Sequence, residues 1–307
     1  MRIDPFQGRG KWFKGNLHAH STNSDGRLSP AEVVSFYKER GWDFLAFTDH
    51  RLYTDNAEFN DKDFLIIPGV ELDVSSHDPW RIYHVVGIGK GNLKDKKAGF
   101  QHMETIPCPS WKGLESAQYL IDLLNEKGNL SIFCHPIWSR LELGDFLDLE
   151  RYFAIEIFNY GCAIENHTGL NTDFWDSLLR RGRKVWGVAT DDGHNPETQG
   201  GGWVMVYAPE LSRESILSAL EAGRFYSSSG PEIYEYRVED GEVYVRCSPV
   251  RAIHFVAYEE FGYSCWAQDG STITSARHRL SGREKYVRVE CVDIHGNTAW
   301  SNPIFLK

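Results

Sequence analysis

Short apolar segments and amphipathic segments alternate along the first 230 residues of the chain. The apolar segments show no polar face, which is typical of strands in a parallel sheet that is covered on both sides. They comprise residues 15–20, 43–50, 64–71, 83–89, 130–136, 153–159, 185–194 and 203–207. Because amphipathic segments separate them, we expect an α/β fold in which helices cover a mainly parallel sheet.

Helix start and stop signals lie between several of these predicted strands. Ser29-Pro-Ala-Glu32 is a capping box with proline at the first helical position, and Gly41 ends the periodicity that follows. Apolar residues at helical spacing predict further helices from about Leu114, Asn171 and Ser212. Seven or so strand–helix units in roughly 220 residues favour a closed or nearly closed barrel, and no GxGxxG motif favours a dinucleotide fold.

The pattern changes after Pro231. Residues 235–307 contain no convincing helical periodicity, and apolar and polar residues alternate in stretches such as 243–247 and 286–292. Asp240-Gly241 is a turn signal between two such stretches. We therefore predict two domains, an α/β barrel at 1–230 and a small antiparallel β-sandwich at 231–307.

Residues that can bind metal ions follow the predicted strands of the first domain. His18 and His20 are two positions apart, so both imidazoles point to one side of an extended chain. Nine side chains in all are candidate donors, which is more than the roughly four to six ligands that one ion binds. We therefore expect a cluster of two or three ions with Glu71 as a bridging ligand. Six histidines and three carboxylates share this placement: His18, His20, Asp25, His50, Glu71, His84, His135, Asp192 and His194.

Composition narrows the classes of partner. The formal net charge is −10, which argues against a general nucleic-acid binder and against recognition of a nucleic-acid duplex. The six cysteines show no CxxC spacing, the first residues lack the apolar region of a secretory leader, and no apolar run is long enough to span a membrane. We expect reduced thiols, a cytoplasmic location and no membrane partner.

The metal-ligand motifs, taken in order, resemble those of the PHP (polymerase and histidinol phosphatase) family between about residues 15 and 195. They are His18-Ala-His20, Asp25, Thr48-Asp-His50, Gly69-Val-Glu71, His84-Val-Val-Gly, Cys134-His135-Pro and Asp192-Gly-His194. The resemblance implies a distorted (β/α)7 barrel, similar to a TIM barrel, that binds two or three ions of zinc, manganese or iron. Stretches at 223–231 and 299–303 also resemble the subgroup of carbaryl ester hydrolase relatives.

The resemblance further implies which residues share an ion. Asp25 stands where some members of the family have histidine, and this harder ligand makes manganese or iron more plausible at its ion. The implied sets are His18, His20, Glu71 and Asp192 for the first ion, Glu71, His84 and His135 for the second, and Asp25, His50 and His194 for the third.

Such a centre predicts hydrolysis of a phosphoric ester in a small phosphorylated molecule or nucleotide, with water as the nucleophile. His194 or Asp192 is expected to carry the proton to the leaving group. Arg51 and Arg140 are candidate phosphate clamps, because the guanidinium fork binds phosphate oxygens in pairs; a surface salt bridge is the alternative for each. His102 lies in a predicted lid at 90–112 and is a candidate substrate contact.

Other functions remain open on the sequence alone. The same centre also suits hydrolysis of a carboxylic or carbamate ester, which the resemblance of the C-terminal stretches favours. An amidohydrolase usually has a bridging lysine, and none stands at a ligand-bearing turn. A non-catalytic module of a polymerase lacks support, because the ligand set is complete. Asp49 is expected to orient a ligand rather than to bind an ion, and so is Asp191, for which an exchange of roles with Asp192 stays open. Glu156 is either such an orienting residue or a buried, paired acid.

Overall fold

The computed structural model describes residues 2–77, 80–89, 99–258 and 262–306. The strands before residue 230 are β1 (Arg2–Ile3), β2 (Lys11–Asn16), β3 (Phe44–Ala46), β4 (Leu52–Tyr53), β5 (Leu65–Ile67), β6 (Gly69–His77), β7 (Trp80–Gly89), β8 (Glu104–Thr105), β9 (Asn129–Phe133), β10 (Ala154–Asn159), β11 (Trp186–Thr190), β12 (Trp203–Ala208) and β13 (Phe225–Ser228). The helices are α1 (Pro30–Glu39), α2 (Leu114–Glu126), α3 (Leu143–Phe146), α4 (Tyr160–Asn166), α5 (Thr172–Arg180) and α6 (Arg213–Glu221). None of the described helices combines the length and apolarity that crossing a membrane requires.

The predicted helix signals match the structure closely. At the start of α1 the Ser29 side chain accepts a hydrogen bond from the Glu32 backbone, and the Glu32 carboxylate accepts one from the Ser29 backbone. Gly41 follows the helix with φ of +81°, a conformation that glycine adopts without strain. Ser212 caps α6 in the same manner by accepting from the backbone of Ser215. The short helices α3 and α4 were not predicted.

Apart from the separate pair β4–β8 and from β1, which pairs with a C-terminal strand, the described strands of the first part form two sheets rather than one closed ring. One runs in the order β11-β10-β9-β7-β6, and β12-β2-β3-β5 is a segment of the other. Single bridges, Ala19 to Gly193 and His50 to Glu71, join the two sheets at one end. Among the described strands no continuous ladder closes the structure, so the (β/α)7 barrel is not confirmed, whereas the α/β class is.

Two departures from parallel pairing explain the open arrangement. Pro68 separates β5 from β6, and β6 then pairs with β7 as an antiparallel hairpin. A proline supplies no backbone donor to a sheet, so the strand breaks there. β12 also runs antiparallel to β2, and after α6 the chain returns in β13, which pairs with β12 in an antiparallel manner instead of continuing a parallel series. The mixed sheets nevertheless bring the ends of β2, β3, β9 and β11 to one side.

The C-terminal part contains strands only among its described residues. These are β14 (Ile233–Glu239), β15 (Glu242–Val250), β16 (Ala252–Ala257), β17 (Tyr263–Trp266), β18 (Ile273–Arg279), β19 (Tyr286–Val292), β20 (Thr298–Ser301) and β21 (Ile304–Phe305). All their pairings are antiparallel, as the alternating pattern predicts. They form the sheet β1-β14-β15-β18 and the segment β17-β16-β19-β20, which enclose an apolar core including Ile233, Val245 and Val289.

The sheets cross the predicted domain boundary at 230/231. β20 pairs with β13, which pairs with β12 and so with β2, and a ten-stranded sheet results. The buried Arg288 guanidinium adds a second link, because its Nε and Nη2 lie 2.9 and 2.7 Å from the two carboxylate oxygens of Asp176 on α5. The division into two domains therefore remains a prediction, and the two parts share hydrogen bonds and one buried ion pair.

Candidate metal centre

Loops at one end of the two sheets, together with β6 and β7, bring together the nine predicted metal ligands. Among the described residues, four groups of side chains have donor atoms that all lie within 4.8 Å of one another inside a group. One is His18, Cys134 and Glu156, and the other three consist only of predicted ligands. These three are His18, His20, Glu71 and Asp192; Glu71, His84 and His135; and His20, Asp25, His50 and His194. These groups contain the three ligand sets that the family resemblance implies, and the third adds His20.

The first group lies where β2 and β11 end. Nε2 of His20 is 3.1 Å from Oδ1 of Asp192, and Nε2 of His18 is 3.3 Å from the same oxygen. Both Nε2 atoms are also 3.3 Å from Oε2 of Glu71. Two imidazole nitrogens and two carboxylate oxygens thus converge on one point, which is the donor set that a zinc or manganese ion prefers.

The second group shares Glu71 with the first. Oε1 of Glu71 lies 2.7 Å from Nδ1 of His84 and 3.4 Å from Nε2 of His135. Since Oε2 faces the first group, the two oxygens of one carboxylate face two different groups. Glu71 therefore has the geometry of a bridging ligand, as the sequence predicts.

The third group is more open to solvent. Nε2 of His194 lies 3.3 Å from Oδ1 of Asp25, and Nε2 of His50 lies 3.6 Å from Oδ2 of the same residue. The Asp25 side chain is 57% exposed and both histidine side chains are 26% exposed, whereas His18 and His20 are fully buried. A ligand entering from solvent meets this group first.

Glu156 on β10 holds His18 from behind. Its Oε1 lies 2.7 Å from Nδ1 of His18 and accepts a hydrogen bond from the Thr190 hydroxyl at 2.7 Å. Its Oε2 accepts bonds from the His135 backbone and the Asn159 amide, each at 3.0 Å. A carboxylate on Nδ1 leaves the Nε2 lone pair of His18 for an ion, which is the usual arrangement behind a metal-bound histidine.

Asp191 and Asp49 are turned away from the cluster. Asp191 accepts hydrogen bonds from the Tyr37 hydroxyl and from the backbone amides of residues 200–202, and burial raises the pKa of this carboxyl to about 6. Asp49 accepts from Ser21 and Ser24 and so fixes the loop after His20. Both acids shape the loops that carry ligands, as expected from the sequence.

Two buried carboxylate oxygens test whether ions fit this cluster. Oε2 of Glu71 and Oδ1 of Asp192 form no hydrogen bond with a described residue, although both atoms are inaccessible to water. A buried anionic oxygen without a donor is costly. Because both oxygens face the Nε2 atoms of His18 and His20, a divalent cation at their centre accounts for the arrangement, and the residues fit the group.

The electrostatics of the cluster agree with this reading. Burial disfavours a charge on His18 and on His20, but the carboxylates of Asp192 and Glu71 outweigh it and raise the pKa of both imidazoles. Burial also opposes ionisation of Asp25, yet its hydrogen bond with His194 and the nearby His50 lower the pKa of the carboxyl. The acids thus attract positive charge, which divalent ions supply more strongly than protons do.

Backbone strain accompanies two of the ligands. His135 has φ of +25° and Asp192 has φ of +51°, values that are uncommon for residues other than glycine. Such conformations persist where the surroundings fix them, and they concentrate at functional sites. In both cases the unusual turn directs the side chain toward the cluster rather than along its strand.

Seven of the nine candidate ligands, all except the fully buried His18 and His20, line a cavity of about 320 Å³. Its wall includes side chains that sequence reasoning missed, among them Arg27, Trp138, Cys162, Glu165 and Asn195. Arg27 and Asn195 each lie within two residues of a predicted ligand, and this closeness in the sequence could have identified them as wall residues. Cys162 and Glu165 lie on the unpredicted α4, for which no motif gave a signal.

The three predicted substrate contacts lie elsewhere. Arg51 forms a bidentate ion pair with Asp73 and is not among the cavity-lining residues. Its observed role is therefore a salt bridge, the alternative to a phosphate clamp. Arg140 is exposed and also lies off the cavity wall. His102 accepts a hydrogen bond from the Asp55 backbone at 3.1 Å. Of the predicted lid, residues 90–98 lie outside the described part of the chain.

Sequence comparisons find relatives that act on nucleic acids. The chain is 35% identical over 82 residues to the DNA polymerase/3'-5' exonuclease PolX of Bacillus subtilis, a match of 20% of this chain and 14% of that protein. It is 42% identical over 79 residues to a 5'-3' exoribonuclease of Haemophilus influenzae, a match of 24% of this chain and 28% of that protein. The matches thus cover less than a third of these relatives. No family model matches the chain.

Among solved structures, the chain is similar to a two-domain protein of Bacteroides vulgatus that contains a predicted PHP-like metal-dependent phosphoesterase. The TM-score is 0.48 at 15% identity, over 97% of this chain and 99% of that one. An amidohydrolase of Chromobacterium violaceum with bound sulfate has a TM-score of 0.42 at 18% identity, over 69% of this chain and 96% of that one.

Proposed function

We propose that this chain is a metal-dependent hydrolase that cleaves a phosphoric ester in a small phosphorylated molecule or nucleotide. The observation that carries the proposal is the convergence of three donor groups in one cavity, with two buried carboxylate oxygens that lack hydrogen bonds. A structural ion site is usually closed, whereas this cluster opens to solvent through Asp25, His50 and His194. The open side is what a catalytic centre needs.

The three groups would hold two or three ions, with manganese, zinc or iron as candidates. When bound, the ions would acidify a water molecule and neutralise charge on phosphoryl oxygens. Asp25 gives the third group a carboxylate oxygen, a ligand that suits manganese better than an all-nitrogen set does. Glu71 would bridge the first two groups, since each of its oxygens faces a different one.

His194 is the better placed of the two predicted proton carriers. Its Nδ1 donates to the backbone carbonyl of Asp192 at 2.9 Å, which fixes the ring and aims Nε2 at the third group. The side chain is 26% exposed on the cavity wall, whereas that of Asp192 is 12% exposed and faces His18 and His20. If an ion occupied the third group, Nε2 of His194 would serve as a ligand; with only the first two groups occupied, the same atom would be free to carry the proton to the leaving group from the solvent side. Asp192 would serve as a ligand in both cases.

The cavity suits a small substrate or a single chain end. A volume of about 320 Å³ lies at the lower end of typical ligand pockets and admits no duplex. Two sequence relatives are nucleases, so phosphodiesters at a nucleotide end belong among the substrates to be tested. The proposal includes a cytoplasmic location, with which the six free cysteines agree.

Hydrolysis of a carboxylic or carbamate ester is the alternative, and one panel of assays separates the two functions. The purified chain is stripped with a chelator, reloaded with manganese, zinc or iron, and assayed with p-nitrophenyl phosphate, bis-p-nitrophenyl phosphate and naphthyl acetate. We expect ion-dependent turnover of a phosphoric ester that exceeds turnover of the naphthyl ester. Preferential cleavage of the naphthyl ester would support the alternative, and turnover that survives complete removal of ions would contradict both.

A further inference from the structure

Two charged side chains on the cavity wall are neither candidate metal ligands nor the proposed proton carrier. Arg27 and Glu165 are both exposed and both line the cavity. Neither forms a side-chain ion pair or hydrogen bond with another residue in the described part of the chain. Other arginines near the sheet ends, such as Arg51 and Arg213, are paired with aspartates. An unpaired charge beside a catalytic cavity is available to a substrate.

The loop that carries Arg27 is held firmly at the cluster. The Arg27 backbone donates to the carbonyl of His194 at 2.7 Å, and Gly26 donates to the carbonyl of Ser21 at 3.0 Å. A side chain at Gly26 would lie 2.7 Å from the backbone of His20, so the chain passes close to the first ligands. Arg27 is therefore fixed beside the third donor group, where a phosphoryl group bound by the ions would lie.

Glu165 reaches the cavity from a different element. It lies on α4, which follows β10, and its neighbours on the wall include Gly161 and Cys162. No histidine of the cluster lies within ion-pair distance of its carboxylate, and Arg27 does not pair with it. The carboxylate is thus separate from both the ion ligands and the arginine, and it contributes negative charge to the part of the wall that α4 forms.

We propose that Arg27 binds the phosphoryl oxygens of the substrate and that Glu165 faces the leaving group and selects against a second negative charge there. This inference rests on the proposed phosphoesterase function and names the substrate class more closely: phosphoric esters whose leaving group is neutral or carries hydroxyl or amino donors. A guanidinium can donate two parallel hydrogen bonds to phosphate oxygens. A carboxylate accepts hydrogen bonds from donors and repels anions.

The first test measures Arg27→Ala against wild type and Arg9→Ala, an exposed arginine outside the cavity wall. We expect kcat/KM for p-nitrophenyl phosphate to fall at least tenfold, with partial recovery in Arg27→Lys and no change in Arg9→Ala. Calorimetric titration with inorganic phosphate gives a readout besides turnover, and we expect its affinity for manganese-loaded Arg27→Ala to fall by a similar factor. Unchanged kinetics and phosphate affinity in Arg27→Ala would overturn the assignment.

The second test compares two substrates of the same size, 4-nitrophenyl phosphate and 4-carboxyphenyl phosphate. We expect wild type to prefer the nitro compound, Glu165→Gln to reduce that preference at least fivefold, and Glu165→Lys to reverse it. Glu214→Gln, at an exposed position on α6, serves as the control and should leave the ratio unchanged. An unchanged ratio in both Glu165 variants would refute the selection.

Failure of this inference and failure of the proposed function give different results. If manganese-loaded wild type hydrolyses no phosphoric ester, the proposed function is wrong and the inference falls with it. If wild type hydrolyses p-nitrophenyl phosphate but the Arg27 and Glu165 variants match it in rate, affinity and substrate ratio, only the inference is wrong.

Discussion

Glu156→Gln tests how the first donor group is held, because it exchanges one atom of a buried carboxylate. The carboxylate receives four hydrogen-bond donors, two on each oxygen: His18 Nδ1 and Thr190 on Oε1, and the His135 backbone and Asn159 on Oε2. A glutamine amide has one oxygen and one NH2 group. Whichever way the amide turns, two of the four donors lose their acceptor.

Both orientations of the amide disturb the centre. With its NH2 toward His18, the imidazole must accept at Nδ1 and carry its proton on Nε2, the atom that faces Glu71 and Asp192. With its NH2 toward His135, the backbone donor of a strained residue is left without a partner. Asn159 cannot simply turn over to accept, because its oxygen already caps α4 at the Cys162 backbone.

The expected magnitude follows from these contacts. Two hydrogen bonds to a charged group are lost, at about 1.5 kcal/mol each for the lower limit, so the ion-free protein should lose about 3 kcal/mol of unfolding free energy. The lower limit applies because removal of the charge also relieves repulsion from Asp192. For a chain of 307 residues the loss corresponds to a fall in Tm of roughly 5 °C. Disturbing a residue behind a metal ligand typically weakens metal affinity about 10–100-fold.

Calorimetric titration with manganese and thermal unfolding with and without manganese measure both effects. Glu284→Gln is the matched control, since Glu284 is also buried and accepts backbone hydrogen bonds, but lies in the C-terminal part. We expect the control to lower Tm without changing manganese affinity. If Glu156→Gln binds manganese as tightly as wild type does, the role assigned to Glu156 is refuted.

Three further predictions concern the cluster and the contact between the two parts of the chain. His20→Ala should lower kcat at least 100-fold, because Nε2 of His20 faces both carboxylates of the first group. The control His295→Ala, at an exposed position, should keep wild-type turnover, and a kcat of His20→Ala equal to that of wild type would contradict the proposed site. Apparent manganese affinity should rise with pH through and above the ordinary histidine pKa of about 6.5, since the raised pKa of His18 and His20 lets protons compete with the ion there; a flat profile in calorimetric titrations would argue against these ligands. Arg288→Ala should lower the free energy of unfolding, measured with urea, by about 3–5 kcal/mol, because it leaves Asp176 buried without its partner. Arg246→Ala, at an exposed ion pair, should lower it by less than about 1 kcal/mol, and equal losses in the two variants would contradict the role of the buried pair.

Local chemistry explains what the sequence predicts well. The capping box at Ser29 and Glu32 forms as expected, because its two hydrogen bonds depend on residues three positions apart. The convergence of His18 and His20 likewise follows from the two-residue repeat of an extended chain. A bridging carboxylate is expected in a cluster of ions, which made Glu71 the candidate; its contact with His84 follows from the pairing of β6 with β7, whereas its contacts with His18 and His20, which follow β2, depend on how the sheets meet.

Long-range packing explains what the sequence does not show. Arg51 stands beside His50, yet its φ of +54° and its bidentate pairing with Asp73 of β6 hold it away from the cavity. That partner is known only once β6 is placed. The same holds for β6 and β7, whose apolar residues fit a parallel strand as well as the hairpin that forms. Glu165 reaches the cavity on a short helix without a periodic pattern, so only the folded chain reveals it.

The most direct test of the account is the number of ions bound per chain. Elemental analysis by plasma mass spectrometry, after reconstitution with manganese and removal of free ions, counts them without reference to any substrate. Two to three ions per chain in wild type, and a reduced number in a Glu71→Ala variant, are the expected result, because Glu71 contributes an oxygen to two of the three groups. Fewer than one ion per chain in fully folded wild-type protein would contradict the proposed metal centre.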